Sequence, residues 1–300
     1  MRTQIMGVLN VTPDSFSDGG RWFDFSAAVD HGLQLLAHGA DIIDIGGEST
    51  RPGSTRVSAE EEARRVIPVI RKLAAQGAVI SIDTMRADIA RQAIDAGAAI
   101  INDVSAGQAE AEMLTAAGEA GVPIILMHWR GLLSDATARY HYDDVVVEVQ
   151  AELSERIDAA RAAGVADEDI IIDPGIGFSK NAEHNWQLLA QIERFTELGP
   201  RLLVAASRKR FLSTLLGADQ TSDVPVADRD AATAAITALS AHAGAWAVRV
   251  HEPRASLIAA QVAEAISAHR PRTRPLPLDL PETPATASGT GSEHRPSWPT

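Results

Sequence analysis

Carboxylates, amides and cations in this 300-residue chain gather directly behind short apolar runs. Ile5 to Leu9 leads to Asn10 and the loop Val11-Thr-Pro-Asp-Ser-Phe-Ser-Asp-Gly-Gly20; Ile42 to Ile45 carries Asp44 and leads to Gly46-Gly-Glu-Ser-Thr-Arg-Pro-Gly53. Val79 to Ile82 is followed by Asp83-Thr84, Ala99 to Ile101 by Asn102-Asp103, and Ile124 to Met127 by His128. Ile170 to Ile172 leads to Asp173-Pro-Gly-Ile-Gly-Phe178, Leu202 to Ala205 to Ser207-Arg-Lys-Arg210, and Ala247 to Val250 contains Arg249 and precedes His251. A lone Asp behind one such run is explained as well by a turn or a cap. Polar groups behind all eight are not, because a sheet has no structural need for them at nearly every strand end.

These residues sort by chemistry. Asp83, Asn102 and Asp173, with Lys209, offer acceptors and donors suited to a flat heterocycle bearing several N–H groups, since a carboxylate takes two parallel bonds from an amino-pyrimidine edge. Met127 and Phe178 could wall such a ring, or could be ordinary core. Arg51, Arg249 and His251, with Asn10 nearby, form a basic set that fits a phosphate or diphosphate, the alternative for each arginine being a surface ion pair. Asn10 could also ligate a Mg²⁺ shared with a diphosphate, because that ion keeps several waters and needs few protein ligands.

Positioning such a set requires a scaffold that brings eight strand ends together. Each apolar run is followed by a stretch with apolar residues at helical spacing, for example Ala27, Leu33 and Leu36, or Val145, Val149, Leu153 and Ile157. Runs apolar on both faces belong to a parallel sheet covered by helices, and eight βα units predict a single (β/α)₈ TIM barrel over residues 1–269, with an open doubly wound sheet as the alternative. Gly39, Gly97, Gly121, Gly164 and Gly244 stand where helices must end. Seven of the 15 prolines fall within residues 271–300, so residues 270–300 read as a disordered tail.

Composition narrows the function. With 27 Lys+Arg against 40 Asp+Glu the formal charge is −13, which argues against a general nucleic-acid binder. The chain has no cysteine, excluding disulfides, thiolate metal sites and Cys nucleophiles and favouring a cytoplasmic setting. No apolar run approaches the roughly 20 residues that a membrane span requires, and the N-terminus carries no cleavable leader pattern.

The motifs resemble dihydropteroate synthase of the actinobacterial type, from about Ile5 to Ile266. The resemblance rests on Gly7 to Gly20, Gly46 to Gly53, Ser81-Ile-Asp-Thr84, Ile101-Asn-Asp-Val104, Asp173 to Phe178, Ser207-Arg-Lys209 and Arg249-Val-His251. It implies a magnesium-dependent alkyl-group transferase of folate biosynthesis, a sulfonamide target. The reaction is condensation of (7,8-dihydropterin-6-yl)methyl diphosphate with 4-aminobenzoate to 7,8-dihydropteroate and diphosphate.

By motif match the pterin would meet Asp83, Asn102, Asp173 and Lys209, with Met127 beside it. The diphosphate would meet Asn10, Arg51, Arg249, His251 and Mg²⁺, and the aminobenzoate pocket would include Phe16, Thr50, Pro52, Phe178, Lys209 and Arg210. Asp18 would join Asp173 in stabilising the cationic carbon as the first loop closes. Ser179 stands where many members carry Gly, and Arg210 where many carry Ser. The family also implies a homodimer, placed on Ala231 to His242 through Ala231, Ala234, Ala235 and Ala238, unless that face packs on the barrel wall. A non-catalytic pterin-binding paralogue would lack clamp residues, and a pterin-dependent methyltransferase would need a corrinoid domain.

Overall fold

The computed structural model describes residues 2–12, 25–48, 57–131, 141–217 and 224–269. Residues 270–300, expected to be disordered, lie outside these. Eight parallel strands close in chain order into a barrel, the closed alternative of the two sheet architectures. They are β1 (Gln4–Asn10), β2 (Ile42–Gly46), β3 (Val79–Asp83), β4 (Ile100–Asp103), β5 (Ile124–Met127), β6 (Ile170–Asp173), β7 (Arg201–Val204) and β8 (Ala247–Val250). The helices that cover them are α1 (Phe25–Ala37), α2 (Ala59–Ala74), α3 (Ala87–Asp95), α4 (Glu112–Ala120), α5 (Val145–Ala162), α6 (Ala182–Ala190), α7 (Glu193–Thr196), α8 (Arg210–Leu215), α9 (Val226–His242) and α10 (Pro253–Ala268). All eight expected runs are strands. Several extend one step further, so that Asn10, Asp83, Asn102 and Asp173 belong to the strands rather than following them.

The core has two shells. A large one, including Ile5, Ile43, Val66, Ile82, Ile101, Leu126 and Ile172, lies between sheet and helices. A smaller one inside the barrel joins Met6, Ile42, Ile100, Ile125, Ile171, Leu203 and Ala247. Burial on both strand faces is why the sequence shows continuous rather than alternating apolar runs.

Local chemistry sets the helices. Ser58 caps α2 by accepting from the Glu61 N–H at 3.2 Å, and Glu60 to Glu62 sit in the first turn, where the helix dipole favours negative charge. Asp144 caps α5 by accepting from Val146 and Val147 N–H. The expected α5 stripe of Val145, Val149, Leu153 and Ile157 is buried. On α1 the expected stripe is displaced: the buried residues are Ala28, Val29, Gly32 and Leu35, while Leu33 is exposed. The reason is close helix packing at Gly32, where an added Cβ would stand 2.6 Å from Leu73 of α2. The five helix-terminating glycines all have positive φ, between 61° and 110°. No helix among the described residues is long and apolar enough to cross a membrane.

Candidate active site

Side chains along a strand alternate between faces, so the residue two beyond each interior core residue enters the barrel again one layer higher. Asp44 follows Ile42 by this step, Asn102 follows Ile100, Met127 follows Ile125, Asp173 follows Ile171 and Arg249 follows Ala247. Register places Asn10 beside Gly46, Gly46 beside Asp83, and Asp83 beside Asn102, while Met127 pairs with Asp173. The apolar plug thus gives way to a polar layer at one end of the barrel.

The two chemical sets expected from the sequence are joined rather than separate. Arg249 Nε donates to Asp44 Oδ2 at 2.6 Å, and an Nη group donates to Asp83 Oδ2 at 2.7 Å. Asn102 Nδ2 donates to the same Asp44 oxygen at 3.0 Å. Arg249 is therefore not a free cation awaiting an anion; two carboxylates already hold it in place. Asp44, which the sequence reading noted without assigning, is fully buried, and its Oδ1 has no partner among the described residues. Burial opposes the charge of Arg249, but Asp44 and Asp83 overcome this and raise its pKa above the usual guanidinium value. Burial pushes Asp83 above the usual carboxylate range, against the pull of Arg249 and with help from Asp44.

Asp173 is buried and its Oδ1 accepts from the Gly175 N–H at 2.8 Å. Burial pushes it up to about 6, opposed by that N–H and by Lys209, Lys180 and Arg249. Lys209 Nζ lies 3.9 Å from the centre of the Phe178 ring, a cation–π contact. Its stem passes Gly177, where an added Cβ would stand 2.9 Å from Lys209 Cδ. Burial and then Arg249 pull Lys209 down to about 8. Met127 packs with Met85 and Val104, flanked by Trp129 and Phe178, in an apolar cluster distinct from the two main shells. His251 donates its backbone N–H to Ser207 Oγ at 3.1 Å, and its Nδ1 lies 3.0 Å from the same oxygen.

Asn10 ends β1 half-buried, with no recorded partner for its side chain among the described residues. Arg210, the first residue of α8, is exposed. Its neighbour Arg208 is paired instead with Asp230 of α9 at 2.7 and 2.8 Å. Asp103 follows the turn reading, accepting from the N–H groups of Ser105 and Gly107. Phe16, Asp18, Thr50, Arg51 and Pro52 lie outside the described residues. So do residues 13–24 and 49–56, which make up most of the two long loops that would carry them.

Two groupings escaped the sequence reading. Arg86 donates to Glu48 at 2.8 Å, to Glu62, and to the Val57 carbonyl at 2.7 Å, tying together the described residues on either side of 49–56. Lys180 donates to the carbonyls of Gly175 and Phe178 and to His128 Nδ1. Neither had a spacing signal; Lys180 follows the recognised Asp173 to Phe178 motif by only two residues, and that adjacency was the available clue.

Among the described residues no group of three His, Asp or Glu side chains could hold a metal ion. Residues 6–251 match the family model described as pterin binding enzyme. The chain is 51% identical to the dihydropteroate synthase of Mycobacterium leprae over 262 residues, 86% of this chain and 92% of that protein. Its fold superposes on the dihydropteroate synthase of Xanthomonas albilineans with 4-aminobenzoic acid at a TM-score of 0.82 and 47% identity, covering 89% of this chain and 94% of the other. The same enzyme in complex with 7,8-dihydropteroate superposes at 0.79 with 44% identity over the same shares. Barrel, polar layer and relatives agree: the chain belongs to the dihydropteroate synthases, pterin-binding transferases of folate biosynthesis that couple a dihydropterin methyl diphosphate to 4-aminobenzoate.

Proposed function

We propose that the polar layer divides this coupling reaction between its two chemistries. Asp83, Asn102 and Asp173, with Lys209 and Met127, hold the pterin; Arg249, with Arg51, His251 and Asn10, receives the diphosphate. The observation that carries the reading is Arg249 seated between Asp44 and Asp83, a cation fixed in a carboxylate-lined mouth before any substrate arrives. A guanidinium has five N–H donors, and the described contacts of Arg249 engage two of its nitrogens, which supports binding an anion with the rest.

As the carbon–oxygen bond breaks, positive character grows on the methylene carbon and negative charge on the departing oxygens. Arg249 meets the second without reorganising, since its carboxylate partners already orient it. Asp173, opposite in charge to the developing cation and buried, is assigned to the first, with Asp18. Because Asp83 binds both Arg249 and, in this reading, the pterin edge, occupation of either half bears on the other. The aromatic amine is neutral near pH 7 and attacks without a dedicated base. Phe178 under Lys209 supports an aminobenzoate wall on that side, to which Phe16, Thr50, Pro52 and Arg210 are also assigned.

The amide of Asn10, without a partner among the described residues, offers a hard oxygen donor, and a single such ligand fits a Mg²⁺ held chiefly by water and substrate oxygens. That ion would add charge neutralisation on the leaving diphosphate. Residues 1–269 form the catalytic unit in this reading, and the absence of cysteine supports a reducing, cytoplasmic setting. Ala231 and Ala235, exposed, and Ala234 and Ala238, half-buried, lie off the barrel-facing stripe of Thr233, Ile236, Thr237 and Ser240 and support a homodimer through α9 and α10.

The test is diphosphate release and dihydropteroate formation from purified protein, pterin diphosphate, 4-aminobenzoate and Mg²⁺. Arg249→Ala should lower turnover by about 10²-fold, the scale of one preorganised electrostatic group. Arg249→Lys should recover only part, since an ammonium does not reproduce the fork between two carboxylates. Undiminished turnover in the alanine variant removes the assignment.

A further inference from the structure

The loop between β6 and α6 is wound around one ammonium group. Lys180, 6% exposed, donates from Nζ to the Gly175 carbonyl at 3.1 Å, to the Phe178 carbonyl at 3.0 Å and to His128 Nδ1 at 2.9 Å. Protonated, the group has three N–H donors and each is engaged, although burial pulls its pKa down to about 7. The imidazole can accept because its Nε2–H donates to Glu152 at 3.0 Å, and burial, with Lys180 beside it, holds the ring neutral by pulling its pKa down to about 4.

The rest of the loop is equally determined. Tyr142 donates its hydroxyl to the Ser179 carbonyl at 3.0 Å. Ser179 itself is left-handed, with φ of 49°. A Cβ added at Gly175 would stand 2.4 Å from the His128 carbonyl, so the loop lies tight against the end of β5. Phe178, whose carbonyl Lys180 holds, presents its ring to Lys209.

We propose that Lys180 is a positioning residue for the aminobenzoate side of the mouth: by holding the Gly175 and Phe178 carbonyls against His128 it fixes the Phe178 ring, touching neither substrate. The inference rests on the reading that Phe178 walls that side. It predicts an effect weighted toward 4-aminobenzoate, with a smaller one on the pterin side through the Gly175 N–H that binds Asp173, a split that a general loss of structure would not produce.

The experiment is a double-mutant cycle on the full chain, with KM for each substrate and kcat measured in parallel. Lys180→Met should raise KM for 4-aminobenzoate by about tenfold, the scale of a lost hydrogen bond to a charged group. KM for the pterin diphosphate should move by less than about threefold, since Lys180 reaches that set only by its charge and through the Gly175 N–H on Asp173. In a Phe178→Ala background the same substitution should change KM for the amine by less than about twofold, because coupled residues are not additive.

Equal shifts in both backgrounds overturn the proposal. So does an unchanged KM in Lys180→Met when Phe178→Ala raises it. An unchanged KM in Phe178→Ala instead removes the underlying assignment of Phe178, and the proposal with it. Should Lys180→Met fail to fold, Tyr142→Phe, which keeps Lys180 and its three contacts and removes the hydroxyl from the Ser179 carbonyl, should raise KM for the amine by about two- to threefold, a fraction of a neutral hydrogen bond; no shift there also overturns the proposal.

Discussion

Ser179 holds a left-handed backbone, φ 49°, at a buried position where it keeps a side chain. An L-residue in that region costs about 1–2 kcal/mol, and such strain persists where surroundings over-determine it. Here they do so through Tyr142 on the Ser179 carbonyl and Lys180 on the carbonyl before it. Glycine adopts this conformation without a Cβ penalty. Ser179→Gly should therefore stabilise the protein by about 1 kcal/mol, raising Tm by roughly 2–4 °C for a domain of this size. Calorimetry on the two proteins checks this, and a lowered Tm would mean that the serine side chain contributes more than the strain it imposes.

At the scale of elements, β5 and α5 are joined by a charged network. His128 lies 3.0 Å from Glu152 through Nε2, Arg130 pairs with Glu148 and Glu152, and the Arg130 guanidinium stacks 3.9 Å from the Tyr142 ring centre. Burial works against the Glu152 carboxylate, but His128 and Arg130 hold it down to about 2 from its ordinary 4.5. Burial and Lys180 hold His128 down to about 4 from 6.5. Both groups have folded pKa values below their unfolded ones, so as pH falls the unfolded chain takes up each proton first. The stability they contribute is complete above about 6.5 and is lost as pH falls through about 4 for His128 and about 2 for Glu152. Asp83 and Asp173, raised by burial, act in the opposite sense over the same range, since the folded chain takes up their protons first. The contribution of His128 is therefore read by difference: the urea midpoint of the parent minus that of His128→Asn should fall as pH drops from about 6.5 to 4. A difference that stays constant across this window would show that the buried imidazole takes its proton at no cost.

For the whole molecule, the outer face of α9 and α10 is unusually apolar for a surface. Leu239 is 68% exposed, Ile266 57%, Val262 53% and Ile258 50%, on two helices packed against each other. The barrel-facing residues of α9 are Thr233, Ile236, Thr237 and Ser240, so the small residues Ala231, Ala234, Ala235 and Ala238 are not buried against the barrel wall. Exposed apolar area of this kind marks an interaction face, and a second copy of the chain is the occupant proposed above. Leu239→Asp combined with Val262→Asp should convert the protein to a monomer in sedimentation equilibrium with its barrel intact. An unchanged mass, whether one chain or two, rules out this face as the dimer contact.

Eight strands, their order of polar endings and the family were legible in the residues, because a parallel strand buried on both faces must be continuously apolar and its chemistry must follow at the end. The placement of Asp83, Asn102, Asp173, Lys209 and Arg249 at one end of the barrel was legible for the same reason: each sits at a strand end or just beyond it. The rotation of α1 was not, since it depends on how closely Gly32 lets Leu73 approach across two helices. Nor was the bond from Arg249 to Asp44 and Asp83, which come from strands 166 and 205 residues away in the chain. Apolar periodicity is a local property and survives in one dimension; a hydrogen bond between distant strands exists only once the barrel closes. That closure turned an expected free cation into one held between carboxylates, and an unremarked Lys180 into the centre of a loop.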